Sequence, residues 1–436
     1  MAELAPNRLE TLVSLCKRRG FVFQSSEIYG GINAVYDFGP LGVRLRRRIR
    51  DLWWRDMVEL RDDIEGVEAA ILMNPMVWQA SGHLSNFSDP MVDCLGECHQ
   101  RWRADHLDGD RCPNCGGPLS SPRQFNLMFK TFIGPVEDEG SVVYLRPETA
   151  QGMFVNFKNI LGTSRQRVPF GIAQIGRSFR NEISTGNFIF RLRELEMMEM
   201  EWFTEPGDDA SWFEYWCERR MAWHQGLGIR ADNLRLRPHG EDEKAHYALA
   251  SSDIEYRYPW GWGELEGIAR RGDYDLSRHQ EESGKDLQYT DPASGRRFLP
   301  YVVEPAVGVD RIFLALLLDA YSEEVVKGET RVVLRLSPGV APYQVAVLPL
   351  SKKPELAAVA RPLEQELRAG FATDYDDTGS IGKRYRRQDE IGTPLAITVD
   401  FETLEDHAAT IRDRDSMEQV RVPLDKLAAV CRERLG

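Results

Sequence analysis

The stretch Phe170-Gly171-Ile172-Ala173-Gln174-Ile175-Gly176-Arg177-Ser178-Phe179-Arg180-Asn181-Glu182, then a loop, then Arg191-Leu192-Arg193-Glu194-Leu195-Glu196-Met197-Met198-Glu199-Met200-Glu201, decides how this chain is read. β-like runs at Phe170–Ile175 and Glu199–Phe203 predict an antiparallel strand–loop–strand. Alternate side chains of a strand share a face, so Arg180 and Glu182 are expected to point the same way. A guanidinium fork grips phosphate oxygens in a two-pronged geometry, and a carboxylate two residues on can accept from the amino group of a base. Arg191 and Arg193 add positive charge from the loop. The plainer alternative is a surface hairpin laced with ion pairs.

Further along, Glu304-Pro305-Ala306-Val307-Gly308-Val309-Asp310-Arg311 runs into the apolar helix Ile312–Leu318. Gly308, near a strand-to-helix transition, lets backbone approach a ligand closely. Arg311 at the start of a buried helix calls for an anion, either a ligand or a structural carboxylate. Upstream, Cys94-x3-Cys98 and Cys112-Pro113-Asn114-Cys115-Gly116-Gly117 have metal spacing, the second half being a zinc knuckle with glycine just after it. Four thiolates would close a structural zinc site and leave no open position for catalysis. His99 and His106 are nearby alternative ligands. The alternative to metal is a ribbon with reduced thiols.

The 436 residues suggest about three domains at ~150 residues each. A net charge of −13 excludes holding nucleic acid by bulk charge, so any such role needs local basic patches. No apolar run approaches the ~18–20 residues that cross a bilayer, and Glu3 and Glu10 fall around a broken apolar pattern unlike a signal peptide. A soluble, cytoplasmic protein is expected. Seven cysteines are too few for a disulfide scaffold of this length, and Cys16, Cys217 and Cys431 read as core residues.

An amphipathic helix is predicted over Leu9–Arg19 and a long one from Val43 to about Leu60, the latter carrying Arg44, Arg46, Arg47, Arg48 and Arg50. A further strand is expected at Val142–Leu145. Composition shifts at Ser337-Pro338-Gly339. Beyond it a compact α/β unit is predicted: strands at Gln344–Leu348, Phe371–Tyr375, Leu395–Val399, Ala408–Arg412 and Gln419–Val422, and helices at Glu355–Leu367, Ile381–Glu390 and from Pro423. The expected division is a first domain over 1–336, interrupted by a zinc-ribbon-like insertion at 92–118, and a second domain over 341–436. The arginines of Arg44–Arg50 and the run Lys383-Arg384-Tyr385-Arg386-Arg387 are the strongest basic patches. Tyr385 among four cations would suit RNA backbone contact with stacking; the alternative for either run is a solvated face.

The segments around Arg180 and Arg311 resemble motifs 2 and 3 of the class II aminoacyl-tRNA synthetases. Arg146-Pro147-Glu148-Thr149-Ala150-Gln151-Gly152 resembles the subfamily that includes the glycine, proline, threonine and histidine enzymes. Ser26-Glu27-Ile28-Tyr29-Gly30-Gly31 through Tyr36-Asp37-Phe38-Gly39-Pro40-Leu41-Gly42 is similar to motif 1 of the glycyl-tRNA synthetases of the bacterial homodimeric kind. So are Trp53-Trp54, Ser81-Gly82-His83, Gly263-Glu264-Leu265-Glu266-Gly267 and Gly379-Ser380-Ile381-Gly382-Lys383-Arg384-Tyr385-Arg386-Arg387. The resemblance spans essentially the whole chain. It implies an α+β fold with an antiparallel sheet core flanked by helices, a Cys-rich insertion and a C-terminal α/β anticodon-binding domain. It also implies a homodimer built largely on motif 1, with glycine, ATP, Mg²⁺ and the tRNA for glycine as substrates and partners.

Position by position, the resemblance places Arg180 on the α-phosphate of ATP and the reacting carboxylate, and Glu182 on the adenine amino group. Arg191 and Arg311 would hold the outer phosphates, with Glu264 and Leu265 beside ATP. Asn181, Phe190, Leu192, Arg193, Glu194, Leu195, Gly308, Val309 and Asp310 complete the implied nucleotide site. Glu148, Glu199 and Glu304 match carboxylates around the glycine amino group, and Arg103 and Arg271 match arginines of the same pocket. Leu195, Glu196, Met197, Met198, Pro305, Ala306, Val307 and Gly308 complete that pocket. The chain departs from the family at Leu195, where an aromatic usually stacks on adenine, and at Ala306, commonly serine.

Clustered acids suit glycine, whose ammonium group must supply most of the binding. Exclusion must do the sorting, because a methyl group is worth only ~1–3 kcal/mol by attraction. The chemistry needs no protein nucleophile, so arginines and Mg²⁺ should dominate. Two rivals are a synthetase-like binding protein without catalysis and a ligase that charges a carrier protein. The first would lack the arginines and Glu182, and the second would lack the C-terminal unit.

Overall fold

The computed structural model describes residues 8–183, 186–240, 243, 245 and 247–436; Glu3 lies outside them. A seven-stranded sheet forms the core. In chain order its strands are β1 (Ile64–Gly66), β2 (Phe170–Phe179), β3 (Glu194–Thr204), β4 (Leu234–Pro238), β5 (Ala250–Tyr258), β6 (Gly261–Gly272) and β7 (Tyr301–Gly308). The spatial order is β4-β5-β6-β7-β3-β2-β1, antiparallel throughout except for the parallel edge pair β1–β2. The register Phe179↔Glu194 to Phe170↔Phe203 confirms the strand–loop–strand and extends both arms beyond the expected runs.

Helix α1 spans Arg8–Arg19 and α2 spans Pro40–Trp54. The second starts three residues earlier than expected because proline fits a first helical turn, with Gly39 extended at its N-cap. It gives way to a wider turn over Arg55–Glu59 instead of continuing to Leu60. Helix α3 (Asp209–Gly226) packs on the sheet, where Arg220 Nε and His224 Nε2 each lie 2.6 Å from a buried Glu266 oxygen. Helix α4 (Val309–Ala320) is apolar on nearly all sides and correspondingly buried. A small sheet, with Ser88–Asp93 between Arg101–Arg103 and Arg123–Asn126, carries the cysteine-bearing segment.

The C-terminal sheet comprises β8 (Val345–Pro349), β9 (Thr373–Tyr375), β10 (Leu395–Val399), β11 (Ala408–Asp413) and β12 (Gln419–Pro423), in the order β9-β8-β10-β11-β12. Helices α5 (Pro354–Arg368) and α6 (Ile381–Ile391) complete it. Pro423 ends β12; the last α-helix starts at Leu427, after a single tight turn. The hairpin Tyr321–Leu334 that follows α4 meets this unit through Arg331, whose Nε donates to Asp389 at 2.8 Å. Arg412 donates to the same carboxylate at 2.9 Å. Among the described residues no helix is long and apolar enough to cross a membrane.

Candidate active site

The sheet opens on one side into a cavity of about 460 Å³. Its walls come from the turn after β2, the start of β3, β5, β6, the end of β7 and the start of α4, so Arg180 and Arg311 meet across one space.

One end is cationic. Arg180 lies just past the end of β2, so strand alternation is not what aims it alongside Glu182. The two share the cavity because the chain turns there: Asn181 N–H donates to Leu127 O at 2.7 Å and Glu182 N–H to Arg180 O at 2.8 Å. Arg180 Nε donates to Pro147 O at 3.0 Å, and the guanidinium lies 5.7 Å from the Phe87 ring centre. Arg191 Nη1 stands 3.9 Å from Glu182. Arg311 Nη1 is 2.9 Å from Glu264 and its guanidinium sits over Phe190 at 4.6 Å. That pairing holds the Glu264 carboxyl below its ordinary range. Phe190, edge-on to Tyr258 and Trp260, places an aromatic ring in the wall where Leu195 offers none.

The other end is acidic. Glu148, Glu199 and Glu304 line it, on the helix-entry turn after Arg146, on β3 and on β7. Each is held by neighbours. Glu199 accepts from Thr149 Oγ1 and, at 2.8 Å, from Thr149 N–H. Glu148 accepts from Gln151 Nε2 at 2.9 Å and lies 3.3 Å from His83 Nε2, with Ser81 Oγ 2.8 Å from the other ring nitrogen. Arg271 Nη1 donates to Glu304 at 2.8 Å, while its Nε and Nη2 hold Asp275 at 2.7 and 2.8 Å. Burial pushes the Glu304 carboxyl up to about 7, against Arg271 and with Glu148 and Glu199 adding to the rise. Burial and the Glu148 charge also raise Glu199. Glu148 is pushed up by burial but more strongly down by His83, Arg271 and Gln151, and ends below the usual range. The three acids therefore differ in protonation tendency at neutral pH.

Strand geometry divides the remaining expected residues. Leu195, Met197, Ala306, Gly308 and Arg103 line the cavity, as do Leu192 and Asp310. Glu196 and Met198 face away from it: Glu196 meets Arg46 and Arg50 of α2 at 3.0 and 2.9 Å, and Met198 is in the core. A contiguous 195–199 site is corrected to alternate residues, because period two sends every second side chain through the sheet. Likewise Pro305 and Val307 lie outside the lining, and Leu265 and Val309 are core. Glu194 pairs with Arg177 on the surface. Arg193 braces the loop, donating to Asn33 O at 2.8 Å and Glu182 O at 3.1 Å. Arg271 stands behind Glu304, under the ring of Tyr247 at 3.8 Å.

Asp275, Tyr247 and Asp253 were not singled out in the sequence. Asp275 follows Arg271 by four residues, but Arg271 stands near the end of β6 and Asp275 in the helix Tyr274–Ser283, so the pair is made across a strand-to-helix turn that helical spacing does not reveal. Thr149 and Gln151 lay in a quoted motif without a role.

The four cysteines come together, their Sγ atoms all within 4.8 Å of one another. Cys94–Cys115 and Cys98–Cys112 are each separated by 3.4 Å. A Cβ on Gly96 would lie 2.9 Å from Gly117 Cα, so the two knuckles need glycine to approach. This donor set fits a tetrahedral zinc with Zn–S of about 2.3 Å. The arginines of the basic run on α6 turn to internal partners, while Lys383 is exposed. Arg384 is buried, donating to Pro349 O, to Asp377 O at 3.1 Å and to Gly379 O at 2.8 Å. Tyr385 OH lies 2.5 Å from Thr398 Oγ1, so the expected stacking platform is packed against the sheet.

A broad antiparallel sheet with arginines and acids meeting over its ends is the arrangement of a class II aminoacyl-tRNA synthetase core. Residues 131–321 match the family described as tRNA synthetase class II core domain (G, H, P, S and T), and residues 344–434 match the anticodon binding domain. A prolyl-tRNA synthetase from Cryptosporidium parvum, solved with L-proline and AMP, superposes with a TM-score of 0.70 over 100% of this chain and 79% of its own, at 14% identity. Among curated proteins, the glycine–tRNA ligase of Treponema denticola is 54% identical over 430 residues, covering 96% of this chain and 95% of its own. That of Streptomyces coelicolor is 51% identical over 458 residues, covering 99% of each. The chain belongs to the glycine–tRNA ligase family.

Proposed function

We propose that the chain activates glycine with ATP and transfers it to the tRNA for glycine. A glycine carboxylate oxygen attacks the α-phosphorus, and the bond to the departing pyrophosphate breaks. A terminal ribose hydroxyl of the tRNA then attacks the glycyl carbonyl, AMP leaves, and the hydroxyl proton passes to solvent. Arg180 is assigned to the α-phosphate, Arg191 and Arg311 to the outer phosphates, and Glu182 to the adenine amino group. Glu148, Glu199 and Glu304 receive the ammonium group, with Arg103 at the rim and Arg271 fixing Glu304. Mg²⁺ bound with ATP would add charge neutralisation beside the Glu264 carboxylate. Preorganised charge is the main catalytic resource of such a site.

The observation that carries the reading is the joining of the arginine end and the acid end in one cavity. Pyrophosphate exchange across the twenty amino acids tests it: glycine alone should support exchange, and activity with proline or threonine instead would reassign the substrate.

Residues 1–336 would form the catalytic domain, with the 92–118 insertion holding structural Zn²⁺ through Cys94, Cys98, Cys112 and Cys115, and 341–436 the anticodon-binding domain. Metal analysis should find about one zinc per chain, and less than one tenth would sink the metal site. A homodimer is supported by the exposed Ile28 and Tyr29 (88% and 86%) in the stretch like motif 1. A cytoplasmic location accords with tRNA charging.

A further inference from the structure

Glu201, on β3 two residues beyond Glu199, is fully buried, and neither of its carboxyl oxygens accepts a hydrogen bond from any described residue. It has no part in the contacts assigned to ATP or glycine. Strand alternation puts it on the same face as Glu199, which lines the cavity, and Phe203, whose ring packs on Phe157 at 4.6 Å. Glu201 therefore sits where the acid end of the cavity meets the aromatic core. Ala306 of β7 stands opposite Glu199 and Val303 opposite Trp202, a register that sets Glu201 across from Glu304. Side chains so paired have Cβ atoms about 4.5–5.5 Å apart. On the other side β2 offers only the apolar Ile172.

A buried carboxylate without a donor is costly, and a like charge directly opposite adds to the cost. Burial, reinforced by Glu304 and opposed by Arg271, pushes the Glu201 carboxyl well above its usual range. The charged groups acting on it are Glu304 of β7, Arg271 of β6, Asp275 of the helix Tyr274–Ser283 and Glu199 of β3 itself. Glu148 acts on Glu304. Because β7 lies between β6 and β3, Arg271 holds Glu304 from one side and Glu201 faces it from the other. The inference drawn from this pairing rests on the ligase reading. We propose that Glu201 is a positioning residue for glycine: as the neutral acid it donates its carboxyl proton to Glu304 in a hydrogen bond, so that the facing pair carries one negative charge, on Glu304, for the ammonium group. A hydrogen bond to the charged form favours that form. Glu201 thereby lowers the pH at which Glu304 becomes able to bind glycine.

The test compares Glu201→Leu, which removes the donor, with Glu201→Gln, whose amide still donates. Glycine-dependent pyrophosphate exchange is followed from pH 5.5 to 8 in the full chain. In Glu201→Leu the curve of glycine KM against pH should move up by about one pH unit, the scale of one hydrogen bond to a charged group. That raises KM at pH 7 about fivefold, while kcat and KM for ATP stay within twofold. Glu201→Gln should follow the parent curve. A purely structural role would lower the melting temperature without moving the curve. Should Glu201→Leu fold poorly, infrared spectra at pH 8 decide: the protonated-carboxyl absorption of the parent should fall by one group in Glu201→Gln. An unmoved KM curve in Glu201→Leu, an equal shift in both variants, or an unchanged carboxyl absorption overturns the proposal. Absence of glycine-dependent exchange in the unmodified protein would instead sink the ligase reading itself.

Discussion

Two arginine-rich regions of the chain look alike in sequence and differ in what their guanidinium groups already hold. On α6, Arg384 donates to three carbonyl oxygens, Arg387 reaches Asp376 at 2.8 Å and Arg386 lies 3.6 Å from Asp389. In the cavity, Arg180 donates only through Nε among the described residues, and Arg191 has a carboxylate no nearer than 3.9 Å. The first set is structural bracing. The second set has donors in reserve, as an anion-binding site requires. Counting acceptors, rather than counting charges, separates Arg384 and Arg387 from Arg180 and Arg191.

The sharpest way to break this contrast is to remove one arginine from each region. Arg180→Ala should lower glycine-dependent exchange by about 10²–10³-fold, the usual scale for one preorganised donor at a developing charge. Its melting temperature should stay near that of the parent. Arg180→Lys should recover little, because a point charge does not reproduce the fork.

A smaller effect comes from the acid end. With Glu304 raised to about 7, its carboxyl is neutral below that pH and charged above it. A neutral acid cannot pair with the glycine ammonium group, so KM for glycine should rise as pH falls below 7. The limit is about tenfold per pH unit, with kcat little changed. Glu304→Gln should show a high KM and a flattened profile over the same range. A KM independent of pH between 5.5 and 8 would contradict the protonation assigned to this acid.

The smallest effect on chemistry is expected at the braced arginine. Arg384→Ala strands buried carbonyl groups and should destabilise the C-terminal unit by about 1–3 kcal/mol for the unsatisfied acceptors. Exchange at 20 °C should stay within twofold, while thermal unfolding followed by circular dichroism starts earlier. Equal losses from Arg384→Ala and Arg180→Ala would erase the distinction.

Much of this was legible in the sequence, and for traceable reasons. The Phe170–Phe179 and Glu194–Thr204 pair, the arginine at the head of an apolar helix and the cysteine spacing are local patterns, and the fold keeps them. Contiguous stretches such as Leu195–Glu199 were harder. A resemblance carries a segment as a block, whereas a strand hands Glu199 to the cavity and Glu196 to Arg46 and Arg50. Long-range supports were not legible at all. Thr149 on Glu199 and Arg271 on Glu304 join residues 50 and 33 positions apart, which only the folded sheet brings together. The α6 arginines misled because charge is visible in sequence and a carbonyl acceptor is not.

Calorimetric titration with a stable glycyl-adenylate analogue tests the joined cavity most directly. The parent protein should bind it tightly, and Arg180→Ala and Glu199→Gln should each weaken it at least tenfold, one from the phosphate side and one from the ammonium side. Unchanged affinity in both variants would contradict the account.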